Sequence, residues 1–202
     1  MADDLIFYTN PMSRGQIVRW MLEEVGAPYE PRVLDYGTTM KDAAYLAINP
    51  MGKVPAVAHD GKVVTECAAI CAYLADAFPE AGLSSPDRAN YFRWLFFAAG
   101  PIEAALVNTA LGVVVPPERR GMVGYGSLPE VLSTLRSHLA ARDYVAGDSF
   151  SAADVYVGSS LGWAMRFGMI TDAPELAAYV ARVTERPACL RARALDDAAV
   201  PK

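Results

Sequence analysis

Short apolar runs and helical spacings alternate in the N-terminal part of the chain. The apolar run at residues 5–8 predicts a buried strand, and apolar positions at helical spacing predict a helix over residues 17–25. Residues 29–34 alternate as in a second strand, and residues 41–48 have the pattern of a short helix. The predicted order in this part of the chain is therefore strand, helix, strand, helix.

A loop rich in proline and glycine follows, with the sequence Asn-Pro-Met-Gly-Lys-Val-Pro at residues 49–55. It leads into two short apolar runs separated by the tight-turn signal His-Asp-Gly-Lys at residues 59–62, which predicts an antiparallel hairpin. Thr65 is the predicted cap of a helix that runs from Glu66 to about Ala77. A β-α-β unit followed by a β-β-α unit builds a small mixed sheet with helices on both faces, which is the layout of the thioredoxin fold.

Residues beyond this unit show no strand pattern. Residues 81–89 contain glycine, serine and proline and interrupt the periodicity, so we interpret them as a linker between residues 1–80 and residues 90–202. Helices are predicted over residues 91–99, 102–115, 128–142, 150–167 and 173–186. The predicted architecture is therefore a thioredoxin-like α/β domain followed by an all-helical bundle.

The clearest helix start in the second part is Ser-Ala-Ala-Asp at residues 151–154. Ser151 can accept from a backbone amide of the first turn while Asp154 accepts from the Ser151 amide, which is a capping box. Phe150 and Val155 have the spacing of a hydrophobic staple. We expect this motif to be a folding determinant of the helical part.

Composition narrows the class of protein. The 202 residues are 53% hydrophobic and 20% charged, which indicates an ordered globular chain. A net charge of −5 without a basic tract argues against nucleic acid as a partner. The sequence has no apolar run of membrane-spanning length, and its acidic start at residues 1–4 is unlike a secretory signal, so a cytoplasmic location is expected. Three cysteines and two histidines without metal-binding spacing predict no metal site.

Three separated motifs occur in one order along the chain: the loop at residues 49–55, the helix start Thr-Glu-Cys-Ala-Ala-Ile at residues 65–70, and the capping box. Together with the mixed α/β unit, this order resembles the cytosolic glutathione S-transferases over nearly the whole chain. The resemblance implies that residues 1–80 bind glutathione as co-substrate and that residues 90–202 hold a hydrophobic electrophile. It also implies a homodimer with a role in detoxification.

The resemblance assigns parts of glutathione to particular residues. In the family the loop proline is cis and the residue before it pairs through its backbone with the cysteinyl part of glutathione; here these are Pro55 and Val54. Lys53 is placed to meet the glycyl carboxylate. Glu66 and Cys67 stand where the family has an acid-serine pair that binds the γ-glutamyl end at a helix N-terminus. Cys67 is a departure, because a thiol is a weaker donor than a hydroxyl.

The residue that activates the glutathione thiol is expected in the turn after the first strand. Transferases of this kind lower the pKa of that thiol with a Tyr, Ser or Cys, because the thiolate is the nucleophile. Matching from the first strand places Ser13 at the position of the serine-type members. Matching backwards from Gly26 brings Met12, Arg14 or Gly15 there instead.

Tyr8 and Asn10 are further catalytic candidates, as are main-chain amides of the turn together with Arg14. Each candidate also has a structural interpretation. Tyr8 has the pattern of a half-buried strand residue, and Ser13 that of a helix cap. The residues alone leave these alternatives open.

Met12, Tyr91 and Trp94 are predicted to line a hydrophobic pocket for the second substrate, although the aromatic run at residues 91–97 also fits a core or a dimer interface. The function predicted first is a glutathione transferase. A non-catalytic glutathione-binding protein of the same fold remains open because of Cys67 and the register at Ser13. A glutathione-dependent peroxidase is the third hypothesis, since the absence of cysteine from the first turn argues only against a reductase.

Overall fold

The computed structural model describes residues 5–200, so the acidic start at residues 1–4 lies outside the described residues. The chain separates into two compact units. One comprises the chain up to Leu83 and again from Arg186 onward, and the other is Ser84–Glu185. In residues 5–200 we find no helix that is long and apolar enough to cross a membrane.

The first unit contains the predicted mixed sheet. Its strands lie in the order β2-β1-β3-β4, with β1 parallel to β2 and antiparallel to β3, and with β3 antiparallel to β4. The register places Tyr8 opposite Arg32 on one side and Ala56 on the other. The strand bounds are Ile6–Thr9 for β1, Glu30–Val33 for β2, Ala56–His59 for β3 and Lys62–Thr65 for β4. The thioredoxin-like layout is therefore confirmed.

Helices α1, α2 and α3 of the first unit span Gly15–Val25, Ala43–Leu46 and Cys67–Ala77. The apolar face of α1 is buried, and the helix ends at Gly26 in the left-handed conformation (φ 73°), as its pattern predicts. Thr65, however, does not cap α3. It stays in β4, and Glu66 occupies the N-cap position with φ 69°.

A helix that the sequence patterns did not predict completes the first unit. Helix α9 spans Pro187–Ala199 and packs on α1, whereas the predicted helical domain extended over residues 90–202. Two ion pairs hold this segment on α1: the buried pair Arg19–Asp196 at 2.6 Å, and the pair at 2.7 Å between Glu24 and Arg186, the N-cap residue of α9. The C-terminal segment therefore belongs to the unit that contains the sheet.

The second unit is helical. Helices α4 and α5 are joined by a π-turn at Ala98–Ile102 that contains Pro101, and α5 ends at Ala110 rather than at residue 115. The chain leaves the helix there because Gly112 adopts φ 67° and Pro116-Pro117 follows. The bounds are Arg88–Phe97 for α4, Glu103–Ala110 for α5, Leu128–Leu139 for α6, Ala152–Arg166 for α7 and Pro174–Thr184 for α8.

The predicted capping box is present at the start of α7. Asp154 is fully buried, and its carboxylate accepts from the Ser151 amide at 3.0 Å, the Val145 amide at 2.9 Å and the Tyr179 hydroxyl at 2.9 Å. Burial raises the pKa of Asp154, and these three donors together with the Ser151 hydroxyl oppose this rise. The Asp154 carboxylate thus connects the start of α7 to both the preceding loop and helix α8.

Candidate functional site

The loop at residues 49–55 is held in place through a backbone carbonyl. The Lys53 carbonyl accepts from the Tyr45 hydroxyl at 2.6 Å and from the Asn49 side-chain amide at 2.8 Å. The peptide bond between Val54 and Pro55 is cis, as expected from the resemblance. The side chains of Tyr45, which precedes the loop, and of Asn49, its first residue, therefore fix the loop backbone at Lys53.

Gly52 allows a close approach of the loop to the segment before it. Its φ is 56°, and a Cβ atom there would lie 2.7 Å from the Met40 carbonyl oxygen. The Lys41 ammonium donates to the carbonyls of Gly52 at 2.8 Å and Met51 at 3.2 Å. Sequence reasoning gave no role to Lys41, because nothing in the local pattern indicates that it reaches eleven residues along the chain.

The start of α3 combines an unusual backbone conformation with a thiol. Glu66 has φ 69° and ψ 122°, a region that non-glycine residues rarely adopt and that is found disproportionately at functional sites. Cys67, the first residue of α3, is 7% exposed, and its thiol donates to the Arg14 carbonyl at 3.7 Å. The residue that departs from the family's serine therefore connects the start of α3 to the turn before α1.

Ser13 is buried in that turn and bonded to the turn's own backbone. Its hydroxyl donates to the Asn10 carbonyl at 2.7 Å and accepts from the Gly15 amide at 2.9 Å. The side chain is 6% exposed. In this conformation the Ser13 proton is directed at a carbonyl, so the side chain acts as a turn and helix-start residue.

Asn10 and Tyr8 also make contacts that stabilise the unit. The Asn10 amide group donates to the Leu34 carbonyl at 2.8 Å, and its side-chain oxygen accepts from the Met12 amide at 2.9 Å. Tyr8 is 8% exposed and packs on Tyr45 with ring centroids 5.4 Å apart. Tyr45 therefore contacts both β1 and the cis-proline loop. These contacts bring the predicted glutathione residues and the catalytic candidates of the first unit close to one another.

Thr9 and Gly15 are a feature of the turn that sequence reasoning missed. Thr9 is fully buried, and no hydrogen-bond partner of its hydroxyl is found in the described part of the chain. A Cβ atom at Gly15 would lie 2.1 Å from the Thr9 hydroxyl oxygen and 3.0 Å from that of Ser13. Two hydroxyl groups thus pack against the glycine that starts α1. The only sequence signal for this packing is the glycine at the start of α1.

The three predicted pocket residues differ in exposure. Met12 is 68% exposed at the tip of the turn, whereas Tyr91 and Trp94 are fully buried in the second unit. There the Arg93 guanidinium lies 4.8 Å from the Trp94 ring centroid, and the His138 ring is 4.3 Å from Trp94. Burial lowers the pKa of His138. A role for these residues in a substrate pocket stays a prediction.

Comparison with known proteins identifies the family. Residues 12–77 match the model of the glutathione S-transferase N-terminal domain, and residues 122–187 match that of the C-terminal domain. The chain is 32% identical to glutathione S-transferase GstA of Escherichia coli O157:H7 over 149 residues, which cover 71% of this chain and 73% of that protein. It is 29% identical to glutathione S-transferase GST-4.5 of Xanthomonas campestris over 163 residues, covering 76% and 77% of the two chains.

Solved structures agree with these sequence matches. A glutathione transferase from Methylococcus capsulatus superposes with a TM-score of 0.79 at 31% identity, covering 96% of this chain and 99% of that one. A sphingomonad glutathione S-transferase complexed with glutathione superposes with a TM-score of 0.77 at 31% identity, covering 95% and 98%. The chain belongs to the glutathione S-transferase family. The predictions of family, fold and enzyme class are confirmed, whereas the serine-type subclass stays a prediction.

Proposed function

We propose that the first unit binds glutathione and activates its thiol for attack on a hydrophobic electrophile. The observation that carries this proposal is the loop before β3, in which the Lys53 carbonyl is held by the side chains of Tyr45 and Asn49. Because the Lys53 carbonyl is already bonded, the backbone of Val54 is oriented before a ligand arrives. A preorganised backbone of this kind pairs with the cysteinyl part of an extended tripeptide at little further entropic cost.

Lys53 is the proposed partner of the glycyl carboxylate. Its side chain is exposed, and within residues 5–200 no carboxylate lies within ion-pair distance of it. Glutathione is itself negatively charged, and the chain carries a net charge of −5, so a local cation is needed to attract the ligand. Lys53 supplies this charge beside the oriented backbone.

The γ-glutamyl end is proposed to bind at the start of α3. Backbone amides at the N-terminus of this 11-residue helix favour a carboxylate, and the Glu66 carboxylate is suited to the ligand's amine. Since the Cys67 thiol donates to the Arg14 carbonyl, we expect Cys67 to contribute its backbone amide rather than its side chain. A cysteine can donate its backbone amide as readily as a serine can.

The chemical step is the attack of the glutathione thiolate on an electrophilic carbon. The thiol proton leaves for solvent, a carbon–sulfur bond forms and the leaving group departs with its electron pair. We assign stabilisation of the thiolate to Ser13, which must turn its proton from the Asn10 carbonyl to the sulfur. The exchange gives up a neutral hydrogen bond of about 1 kcal/mol for a charge-assisted one of about 1.5–3 kcal/mol. The net gain corresponds to a thiol pKa lowered by about one unit.

The second substrate is proposed to be a hydrophobic electrophile, in keeping with the 68% exposed Met12 beside Ser13. A cytoplasmic homodimer is proposed on the same family grounds, and gel filtration measures the oligomeric state. The function itself is tested by calorimetric titration of the wild type with glutathione, together with conjugation of a panel of aryl and alkyl halides. Binding with turnover is expected. Binding without turnover would contradict the transferase proposal, and reduction of a hydroperoxide in place of conjugation would favour the peroxidase.

A further inference from the structure

Thr9, the last residue of β1, has a buried hydroxyl group beside the turn. Its side chain is fully buried, and among residues 5–200 we find no hydrogen-bond partner for this hydroxyl. The backbone of the residue is bonded, since the Thr9 carbonyl accepts from the Leu34 amide at 2.8 Å. A buried hydroxyl without a partner lowers stability, because it has lost the hydrogen bonds that water gives it in the unfolded chain. Such a group in a folded protein therefore calls for an explanation.

The Thr9 hydroxyl borders the same space as the Ser13 hydroxyl. A Cβ atom at Gly15 would lie 2.1 Å from the Thr9 oxygen and 3.0 Å from the Ser13 oxygen, so the two oxygens cannot be farther apart than these two distances together. Because residue 15 is glycine, it has no side-chain atom that fills this space. The two hydroxyl groups are therefore neighbours, although they are not bonded to each other in this conformation.

The hydrogen bonds of Ser13 leave room for a further donor. Its hydroxyl oxygen has two lone pairs, and in the part of the chain that the structure describes only the Gly15 amide donates to it, at 2.9 Å. The Ser13 proton is directed at the Asn10 carbonyl, which also accepts from the Ser13 amide at 3.0 Å. That carbonyl therefore keeps one partner when the Ser13 proton turns towards a ligand.

We propose that Thr9 is a positioning residue that supports stabilisation of the thiolate through Ser13. When the Ser13 hydroxyl turns to the glutathione sulfur, the Thr9 hydroxyl donates to the Ser13 oxygen, and a chain of two hydroxyl groups then ends at the thiolate. A hydroxyl that accepts a hydrogen bond is itself a stronger donor, by about 10–30%. No proton passes between the two hydroxyl groups. This inference rests on the proposed role of Ser13 and adds to it a residue that touches neither substrate.

The test compares Thr9→Val and Thr9→Ser with the wild type by ultraviolet titration of the bound thiolate. Thr9→Val keeps the shape of the side chain and removes the hydroxyl, so the pKa of the bound thiol should rise by about 0.5 unit. Thr9→Ser keeps the hydroxyl and should recover most of this shift. The matched control is Thr134→Val, which removes a hydroxyl that donates to the Glu130 carbonyl in the second unit and should leave the thiol pKa unchanged.

Urea denaturation without ligand gives a readout that distinguishes this role from a structural one. If the Thr9 hydroxyl stabilised the fold, Thr9→Val would lower the denaturation midpoint. The opposite is expected, because removing a buried hydroxyl that is not hydrogen-bonded relieves an energetic cost. The midpoint should therefore rise in the same variant that raises the thiol pKa, as in other sites where function is retained at the expense of stability. A lowered midpoint would overturn the inference.

The Ser13→Ala background separates this inference from the proposed function. Because Thr9 acts through Ser13, Thr9→Val should cause no further change of the thiol pKa in that background. An equal rise in both backgrounds would overturn the inference, and so would an unchanged pKa in Thr9→Val when Ser13→Ala raises it. In both cases the proposed role of Ser13 would stand. An unchanged thiol pKa in Ser13→Ala would overturn that role and this inference together.

Discussion

Two segments of the first unit that belong to the proposed site are stabilised in opposite ways. In the loop at residues 49–55, the backbone is held by side chains that are not proposed to touch glutathione, since Tyr45 and Asn49 donate to the Lys53 carbonyl. In the turn at residues 9–15, the side chain proposed to act on the ligand is itself bonded to the backbone, since the Ser13 hydroxyl donates to Asn10. The loop can therefore bind a ligand without rearrangement, whereas Ser13 in the turn must break its hydrogen bond to the Asn10 carbonyl before it can donate to the ligand.

This difference separates binding from chemistry. A preorganised loop binds glutathione without rearrangement, so its residues should affect Kd and KM. A turn that must exchange one hydrogen bond for another gains only the difference between them, so its contribution to thiol activation should be modest.

The largest loss of stability is expected when the ion pair that holds α1, the helix that starts at the turn, is broken. Arg19 and Asp196 form a buried pair at 2.6 Å with side-chain exposures of 4% and 3%. Arg19→Met leaves Asp196 buried without its cation and should lower the free energy of unfolding by about 3–5 kcal/mol. Urea denaturation measures the loss.

The control for this prediction removes both charges. The double variant Arg19→Met with Asp196→Leu should regain most of the stability, because replacing a whole buried pair with apolar side chains is often close to neutral. If Arg19→Met alone costs less than about 1 kcal/mol, the ion pair does not support α1 in the way described here.

A smaller loss of stability is expected inside the turn. A Cβ atom at Gly15 would lie 2.1 Å from the Thr9 hydroxyl oxygen, so Gly15→Ala should destabilise the protein by about 1–3 kcal/mol through overpacking. Thr9→Ala in the same background removes the nearest atom and should restore part of the loss. Equal stabilities of the single and double variants, measured in urea, would show that the clash is relieved elsewhere.

The smallest loss of stability is expected when one of the side chains that hold the loop at residues 49–55 is removed. Tyr45→Phe removes the donor to the Lys53 carbonyl and is expected to cost about 1 kcal/mol and to raise KM for glutathione with little change in kcat. Asn49 still donates to the same carbonyl in this variant. A fall in kcat at unchanged KM would contradict the separation of binding from chemistry.

Tyr45 also predicts a dependence of stability on pH. Burial raises the pKa of Tyr45 to about 12, so the folded state favours the protonated phenol. Stability from this group is complete below the ordinary pKa of about 10 and is lost as the pH rises from there towards 12. Urea midpoints between pH 9 and pH 11 should fall less steeply in Tyr45→Phe than in the wild type.

Features with local signals could be predicted from the sequence. The Asp60–Gly61 hairpin, the stop at Gly26 and the Ser151–Asp154 capping box each depend on residues within a few positions, and the structure confirms them. The family match added the cis bond at Pro55, which spacing alone does not specify. Local chemistry and resemblance together therefore predicted most of the fold.

Features that depend on distant residues could not be predicted. The sequence pattern predicts a helix that ends at residue 186, but the next residue, Pro187, starts α9, because proline is also favoured in the first turn of a helix. The partner that holds α9 on α1, Arg19, lies 177 residues before Asp196. The direction of the Ser13 proton and the reach of Lys41 to Gly52 likewise depend on backbone positions that composition and spacing do not record.

The central claim is that the loop binds glutathione and the turn activates its thiol. Ultraviolet titration of the bound thiolate, combined with calorimetry, tests it directly in Lys53→Met and Ser13→Ala. Lys53→Met should raise Kd about tenfold and leave the pKa of the bound thiol unchanged, whereas Ser13→Ala should raise that pKa by about one unit and leave Kd unchanged. An unchanged thiol pKa in Ser13→Ala, or an unchanged Kd in Lys53→Met, would contradict the account.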